Sequence, residues 1–149
     1  MRARDLAWFS TPVRLDATLK EAAELIVREH APALVVVSED GHPLTALPAA
    51  RILAAVLPTA VREDPLLAAA AGDSLDTHVR AWAASLRLMD VLPRRLPPPL
   101  VVSPDASPIH MAAVMERAGS PFVLVVDYDG EQPHLLGTVD AAALLHHYL

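Results

Sequence analysis

Apolar runs and amphipathic stretches alternate along the chain in a fixed order. Two continuous apolar runs, at residues 34–37 and 123–126, are short, rich in valine and followed by Asp-Gly, so they predict buried strands that end in hairpin turns. Before the first run, Thr18 opens a capping box and apolar residues recur at helical spacing. Before the second run, Ser107 stands at the cap position and Pro108 at the first helical position. Each run is therefore preceded by a predicted helix.

The segments after the two apolar runs predict a second strand and a closing helix in each half. The return strands are predicted at residues 44–47 and 135–139, and the closing helices at residues 49–57 and 141–149. With an opening strand before the first helix, each half is predicted as strand, helix, strand, strand, helix.

The two halves repeat one sequence pattern. The ten residues from Pro32 to Gly41 recur from Pro121 to Gly130, 89 positions later. Asp-Ala-Thr before the first helix recurs as Asp-Ala-Ser at the same offset, and the flanks match after small changes of length, as is typical of loops. We therefore predict a first motif over residues 1–57, a connector over 58–85 and a second motif over 86–149.

The connector is too apolar for a free tether, and it is predicted to be helical and packed against the halves. Its apolar residues are Leu66, Leu67, Leu75, Val79 and Trp82.

Composition narrows the possible functions. The net charge is −6 and Lys20 is the single lysine, which argues against nucleic-acid binding because phosphate neutralisation needs clustered cations. The chain has no cysteine, which excludes disulfides, thiolate catalysis and Cys-ligated zinc. The first residues lack the apolar core of a signal peptide, and the longest apolar stretch, residues 46–61, is interrupted by prolines and an arginine. We therefore expect a cytoplasmic protein without a membrane span.

Catalytic and metal-binding patterns are missing from the sequence. There is no nucleophile elbow, no phosphate-binding glycine loop and no zinc-protease motif. Asp127 and Asp129 are predicted to bracket a turn. Adjacent helical residues point about 100° apart, so His146 and His147 are poorly placed to chelate one ion. We predict that the chain is not an enzyme and has no metal or cofactor of its own.

The duplicated order of elements resembles the cystathionine-beta-synthase-type (CBS) domain pair, or Bateman module, in a stand-alone bacterial form. The first residues of each half also resemble the family. They are Arg-Asp-Leu at residues 4–6 and Met-Asp-Val at residues 89–91. The resemblance implies an α/β (α+β) fold of two pseudo-symmetric halves, packed sheet to sheet with a helical connector. It also implies an AMP- or ATP-type ligand in clefts between the halves, assembly into a homodimer, and regulation of another protein, which in similar proteins is a membrane ion transporter.

The family's ligand signature is a glycine, two apolar residues, a hydroxyl residue, two more residues and an aspartate. The hydroxyl and a helix N-terminus receive phosphate, and the aspartate binds ribose. The first copy has Pro48 and Arg51 at the hydroxyl and ribose positions. The second copy keeps Gly137 but has Asp140 and Ala143. Pro48 suits a helix start and Asp140 an N-cap, whereas Arg51 either extends into solvent or meets a phosphate.

The resemblance also implies which residues surround each cleft. The first wall is predicted to hold Thr11, Pro12, Val13, Ala31, Pro32, Pro48 and Arg51. The second wall is predicted to hold Leu100, Val101, Ser120, Pro121, Thr138, Asp140 and Ala143. An anion is expected to prefer the first cleft, because the cation of Arg51 attracts it and the carboxylate of Asp140 repels it.

Two functions remain open. One is a regulatory module that senses an adenosine-type nucleotide or another small anion and modulates a partner. The other is a structural dimerisation or adaptor module that binds no nucleotide, because the ribose and phosphate positions are altered. In either case, apolar surface left on the closing helices predicts a homodimer. That surface comprises Ile52, Leu53, Val56, Leu57, Leu144, Leu145 and Tyr148.

Overall fold

The predicted helices and strands of both halves are present, except for the opening strand of the first half. The computed structural model describes all 149 residues and contains eight helices and five strands. The helices are α1 (Ala3–Leu6), α2 (Leu19–Glu29), α3 (Ala49–Val56), α4 (Thr59–Glu63), α5 (Leu66–Ala83), α6 (Leu88–Val91), α7 (Pro108–Ala118) and α8 (Ala141–Tyr148). The strands are β1 (Leu34–Val37), β2 (Pro43–Leu47), β3 (Val101–Val102), β4 (Phe122–Asp129) and β5 (Gln132–Asp140). The mixed α+β class predicted from the sequence is confirmed.

The first half is built on the antiparallel pair β1–β2. The predicted opening strand is reduced to one parallel bridge between Val13 and Val36. In the second half, the Leu124 N–H extends the corresponding pairing by donating to the Leu100 carbonyl at 2.8 Å. The residue equivalent to Leu100 in the repeat is Thr11, whose N–H and hydroxyl donate to a carboxylate outside the sheet. The opening strand is shorter in the first half than predicted.

The second half has a three-stranded sheet in the order β3–β4–β5, with β3 parallel and β5 antiparallel to β4. The hairpin is longer than predicted. Asp127 and Asp129 lie on β4, paired with His134 and Gln132, and the turn falls at the next two residues. The prediction that these two aspartates bracket a turn is wrong, because pairing continues past the buried part of the strand to its exposed end.

Alternate residues of β4 are buried on opposite faces of the sheet, which explains its continuous apolar run. Val123 and Val125 pack under the helices of their own half. Leu124 and Val126 pack with Val35 of the first half, between the two sheets. The halves therefore meet sheet to sheet, as predicted.

The opening segment of each half packs in the core of the other half. Ala3 is fully buried in the cluster of the second half, and its N–H donates to the Ala106 carbonyl at 2.9 Å. Leu88 is fully buried in the cluster of the first half, and its N–H donates to the Ala17 carbonyl at 3.0 Å. The repeat copies are thus exchanged at their N-terminal ends. The division of the chain at residues 57 and 86 stays a prediction about the sequence.

The connector is helical, as predicted, but it packs against the core of the first half only near its end, at Ala83. Helix α4 is followed by α5, which has a non-helical backbone at Ala71 and no buried residue. Leu66, Leu67 and Trp82 are 75%, 45% and 41% exposed. The prediction of a packed connector is wrong at these three side chains, because an amphipathic pattern indicates an apolar face without indicating what covers it.

Candidate functional site

Strand pairing brings the predicted wall of the first cleft to one end of the β1–β2 hairpin. Ala31 and Pro32 precede β1, and Pro48 follows β2, whose last residue pairs with the first residue of β1. Thr11 and Pro12 precede the parallel bridge to β1 and so reach the same end. The residues of this wall are therefore neighbours in the fold, with Val13 buried beneath them.

The second wall is assembled in the same way. Leu100 and Val101 enter β3, and Ser120 and Pro121 enter β4. Asp140 ends β5, paired with the first residue of β4. Ala143 follows in the first turn of α8. Both predicted walls therefore lie where a pair of strands meets the N-terminus of a closing helix.

The N-terminus of α3 is open. Pro48 occupies the N-cap position and provides no side-chain hydrogen bond, so the first N–H groups of the helix are not satisfied by a side chain. Arg51 lies in the first turn, is exposed and forms no ion pair. A positive helix terminus and an unpaired guanidinium are therefore adjacent at the first cleft.

The N-terminus of α8 is closed. The Asp140 carboxylate accepts from the Ala143 N–H at 2.9 Å, which is the predicted N-cap. The Ala141 N–H donates to the Pro121 carbonyl at 3.1 Å. The first and third N–H groups of α8 are therefore bound by the chain itself.

Thr11 in the first wall is fixed by Glu29 at the end of α2. The Thr11 N–H and hydroxyl donate to the two carboxylate oxygens at 2.8 and 2.6 Å. These hydrogen bonds, first the one from the hydroxyl, lower the pKa of Glu29 below its ordinary value, because they stabilise the charged form. The sequence did not indicate Glu29, since its partner is 18 positions away.

Ser120 and Thr138 of the second wall differ in what they offer a ligand. The Ser120 hydroxyl donates to the Phe122 carbonyl at 2.7 Å, so it fixes the entry to β4. Thr138 is 1% exposed, and its hydroxyl has no hydrogen-bond partner. Its side chain lies beneath the wall, on the sheet opposite Leu124, and does not line the open cleft.

Two further grooves lie on the helical faces. A groove of about 640 Å³ is bounded by α2, α3 and the end of α5, and one of about 520 Å³ by α7 and α8. Both are mainly apolar. Leu53, Leu145 and Tyr148 at these faces are 62%, 60% and 52% exposed. Leu53, Leu145 and Tyr148 of the predicted apolar surface are therefore uncovered within one chain. Ile52 and Leu144 are instead buried in the cores of their own halves, so the prediction is wrong for these two residues.

No three His, Cys, Asp or Glu side chains come together in a group that could hold a metal ion. None of the helices combines the length and apolar character needed to cross a membrane.

Comparison with known proteins gives the same fold for the whole chain. Residues 90–149 match the family model described as CBS domain. No curated protein matches the sequence. A CBS domain-containing protein of unknown function from Kribbella flavida is 29% identical, with 100% of each chain covered and a TM-score of 0.77.

Two other solved structures are similar at lower identity. The CBS domain of a CBS domain-containing membrane protein from Sphaerobacter thermophilus is 23% identical, covering 98% of this chain and 86% of that one, with a TM-score of 0.72. CBSX2 in complex with AMP is 17% identical, covering 99% and 95%, with a TM-score of 0.64. Residues 90–149 therefore match the CBS domain family directly, and the whole chain has the fold of solved CBS-domain proteins.

Proposed function

We propose that this protein is a non-catalytic regulatory module that binds an adenosine-type nucleotide or a related small anion in its first cleft and modulates a partner protein. The observation that carries the proposal is the difference between the two closing helices. Helix α3 begins without a side-chain cap beside the unpaired Arg51, whereas α8 is capped by Asp140. The first cleft therefore offers an anion a helix terminus without a side-chain cap and an unpaired guanidinium, whereas the second presents a carboxylate.

The chemistry of that cleft suits a phosphate. Free N–H groups at a helix N-terminus point toward an anion, and the helix dipole favours negative charge there. A guanidinium adds a charge-assisted fork, worth roughly 1.5 to 3 kcal/mol for a hydrogen bond to a charged group. Thr11 is held by Glu29, so the opposite wall is already ordered before a ligand arrives.

The comparisons support the regulatory role at the level of the family. CBS domains are regulatory modules and generally not catalytic. The similar protein CBSX2 was solved with AMP, which supports an adenine nucleotide as the first ligand to test. The similar domain from Sphaerobacter thermophilus belongs to a membrane protein, which supports a membrane protein, such as an ion transporter, as the partner.

We further propose that the protein is a cytoplasmic homodimer. Two apolar grooves on its helical faces remain uncovered within one chain, and apolar surfaces of this kind mark association sites. A second copy would cover both grooves at once, because a two-fold axis presents the same surface twice.

The structural adaptor is the second candidate, and the altered signature positions favour it. Asp140 closes the second cleft. Thr45 is at the repeat position of Gly137, and its hydroxyl donates to the Pro97 carbonyl at 2.9 Å. The Asp140 carboxylate and the Thr45 hydroxyl therefore both bind other parts of the chain itself. If Arg51 also served only solubility, the module would act by dimerisation and docking alone.

Titration calorimetry with AMP and ATP separates the two candidates. Arg51→Ala should weaken nucleotide binding about tenfold or more, which corresponds to about 1.4 kcal/mol. Arg117→Ala is the matched control, because it removes an exposed arginine from the second half, and it should leave the affinity unchanged.

Asp140→Thr keeps a capping oxygen but removes the charge, so binding at the first cleft should also be unchanged. Equal affinity in Arg51→Ala and the parent protein would remove Arg51 from the ligand site. Absence of any heat with either nucleotide in the parent protein would favour the adaptor.

A further inference from the structure

The connection that follows α1 in the first half has a longer counterpart after α6 in the second half. Repeat positions are 85 apart at Leu6 and Val91 but 89 apart at Pro12 and Val101. The first half therefore makes this connection with the five residues 7–11, and the second half with the nine residues 92–100. Four of these nine residues are prolines and two are arginines. Because five residues suffice for the equivalent connection, the extra length is not needed to join the halves.

Residues 96–100, Leu-Pro-Pro-Pro-Leu, form neither helix nor strand. Each proline ring fixes φ at about −65°, and each residue before a proline is confined to extended backbone, so this sequence favours a polyproline II helix. Such a helix has about three residues per turn, which places Leu96 and Pro99 on one edge. These two residues are half-buried, whereas Pro97 and Pro98 between them are exposed. One edge of the segment therefore lies on the protein, and two proline rings are accessible.

The proline segment is held at both ends and near its centre. Leu92 packs against the core of the first half, and Leu100 packs against the core of the second half. Between them, the hydroxyl of Thr45 on β2 donates to the Pro97 carbonyl at 2.9 Å. A segment that is ordered before binding loses little conformational entropy when a partner docks on it. The exposed prolines are therefore a preorganised surface.

Two guanidinium groups precede these prolines. Arg94 and Arg95 are exposed, and neither takes part in an ion pair. The whole chain has a net charge of −6, so the pair is a local positive charge on an acidic protein. A guanidinium binds a carboxylate through two parallel hydrogen bonds and also stacks on aromatic rings. The two side chains therefore suit a surface that carries carboxylates beside aromatic rings.

We propose that residues 93–99 form the docking surface for a partner protein whose groove binds polyproline II segments. Aromatic rings of the groove pack on Pro97 and Pro98. Carboxylates at its edge pair with the two arginines. Grooves of this kind bind proline-rich segments tightly because the polyproline II conformation is already formed. The inference specifies the partner of the proposed function, and it rests on the regulatory role proposed there.

Titration with a purified SH3 domain tests this surface, because SH3 domains hold proline-rich segments in an aromatic groove. The full chain, labelled with nitrogen-15 and free of nucleotide, is observed by NMR while an SH3 domain with carboxylates beside its groove is added. We expect saturable binding. The largest shifts should fall on the amide signals of Arg94, Arg95 and Leu96, since the prolines that follow have no N–H.

Exposed residues provide the variants, so the fold is not at risk. Arg94→Ala/Arg95→Ala should weaken binding of the SH3 domain about tenfold or more. Arg28→Ala/Arg117→Ala is the matched control, because it removes two exposed arginines elsewhere and changes the net charge equally. It should bind like the parent protein. Pro98→Gly frees the backbone of one exposed residue and should weaken binding at least roughly twofold.

Two results would overturn the docking surface. One is the absence of saturable binding at millimolar SH3 domain. The other is an equal loss of binding in Arg94→Ala/Arg95→Ala and in Arg28→Ala/Arg117→Ala, because net charge alone would then explain the interaction.

Anionic phospholipid vesicles are the second probe, in a sedimentation assay. A parent protein that binds these vesicles through Arg94 and Arg95 but does not bind the SH3 domain would show that the segment docks on a membrane, and the inferred partner protein would be wrong. Nucleotide affinity is measured separately by calorimetry. Failure of the docking surface therefore leaves the proposed ligand site intact, and failure of nucleotide binding leaves the NMR result unchanged.

Discussion

Gly137 lies where the backbone of the opening segment crosses strand β5. A Cβ atom added to this residue would lie 2.6 Å from the Trp8 carbonyl oxygen and 3.0 Å from the Phe9 nitrogen. Trp8 and Thr138 exchange two backbone hydrogen bonds at this point, at 2.9 and 3.0 Å. The sequence suggested Gly137 as part of a ligand signature. In this chain, glycine is required at this position because two backbones approach closely there.

Gly137→Ala is therefore expected to destabilise the protein by roughly 1 to 3 kcal/mol, the usual cost of inserting a methyl group into a packed site. Gly72→Ala is the control, since a Cβ at that helical glycine meets no atom within 4 Å. Chemical denaturation of the two variants measures the difference. A Gly137→Ala protein as stable as the parent would mean that the opening segment is not held at β5.

The N-terminus of α8 depends on its cap. Asp140→Ala removes the oxygen that accepts from the Ala143 N–H and should cost about 1 kcal/mol of unfolding free energy. Asp140→Asn keeps an accepting oxygen without the charge and should lose much less. Thermal unfolding followed by circular dichroism compares them. Equal losses in the two variants would show that charge, rather than capping, is what Asp140 supplies.

The elements differ in how well the sequence predicts them. Helix α2, both hairpins and the closing helices follow from local signals, such as the capping box at Thr18 and the valine-rich runs before each Asp-Gly. The exposure of Leu66 and Trp82 on α5 could not be predicted, because an apolar face looks the same whether the chain or another molecule covers it. The hydrogen bonds from Thr11 to Glu29 and from Thr45 to Pro97 could not be predicted either, because they join residues distant in sequence.

For the whole molecule, the exchange of opening segments predicts a single unfolding transition. Ala3 completes the core of the second half and Leu88 that of the first, so neither half keeps its own core alone. A protease site inserted after the exposed Asp64 should give a nicked protein whose two pieces stay associated and unfold together. Differential scanning calorimetry and gel filtration check this. Two separate transitions, or pieces that part on the column, would contradict it.

Because the opening segments are exchanged, part of the wall of the first cleft is a short segment that connects the two halves. Trp8 is bonded to the sheet of the second half and Val13 to that of the first, and only five peptide steps separate them. Such a segment spans at most about 18 Å when fully extended. Thr11 and Pro12, which the proposed ligand would contact, therefore lie on a short segment that is fixed at both ends. A ligand that displaces this segment acts on both sheets at once. Binding in the first cleft therefore exerts a force between the two halves.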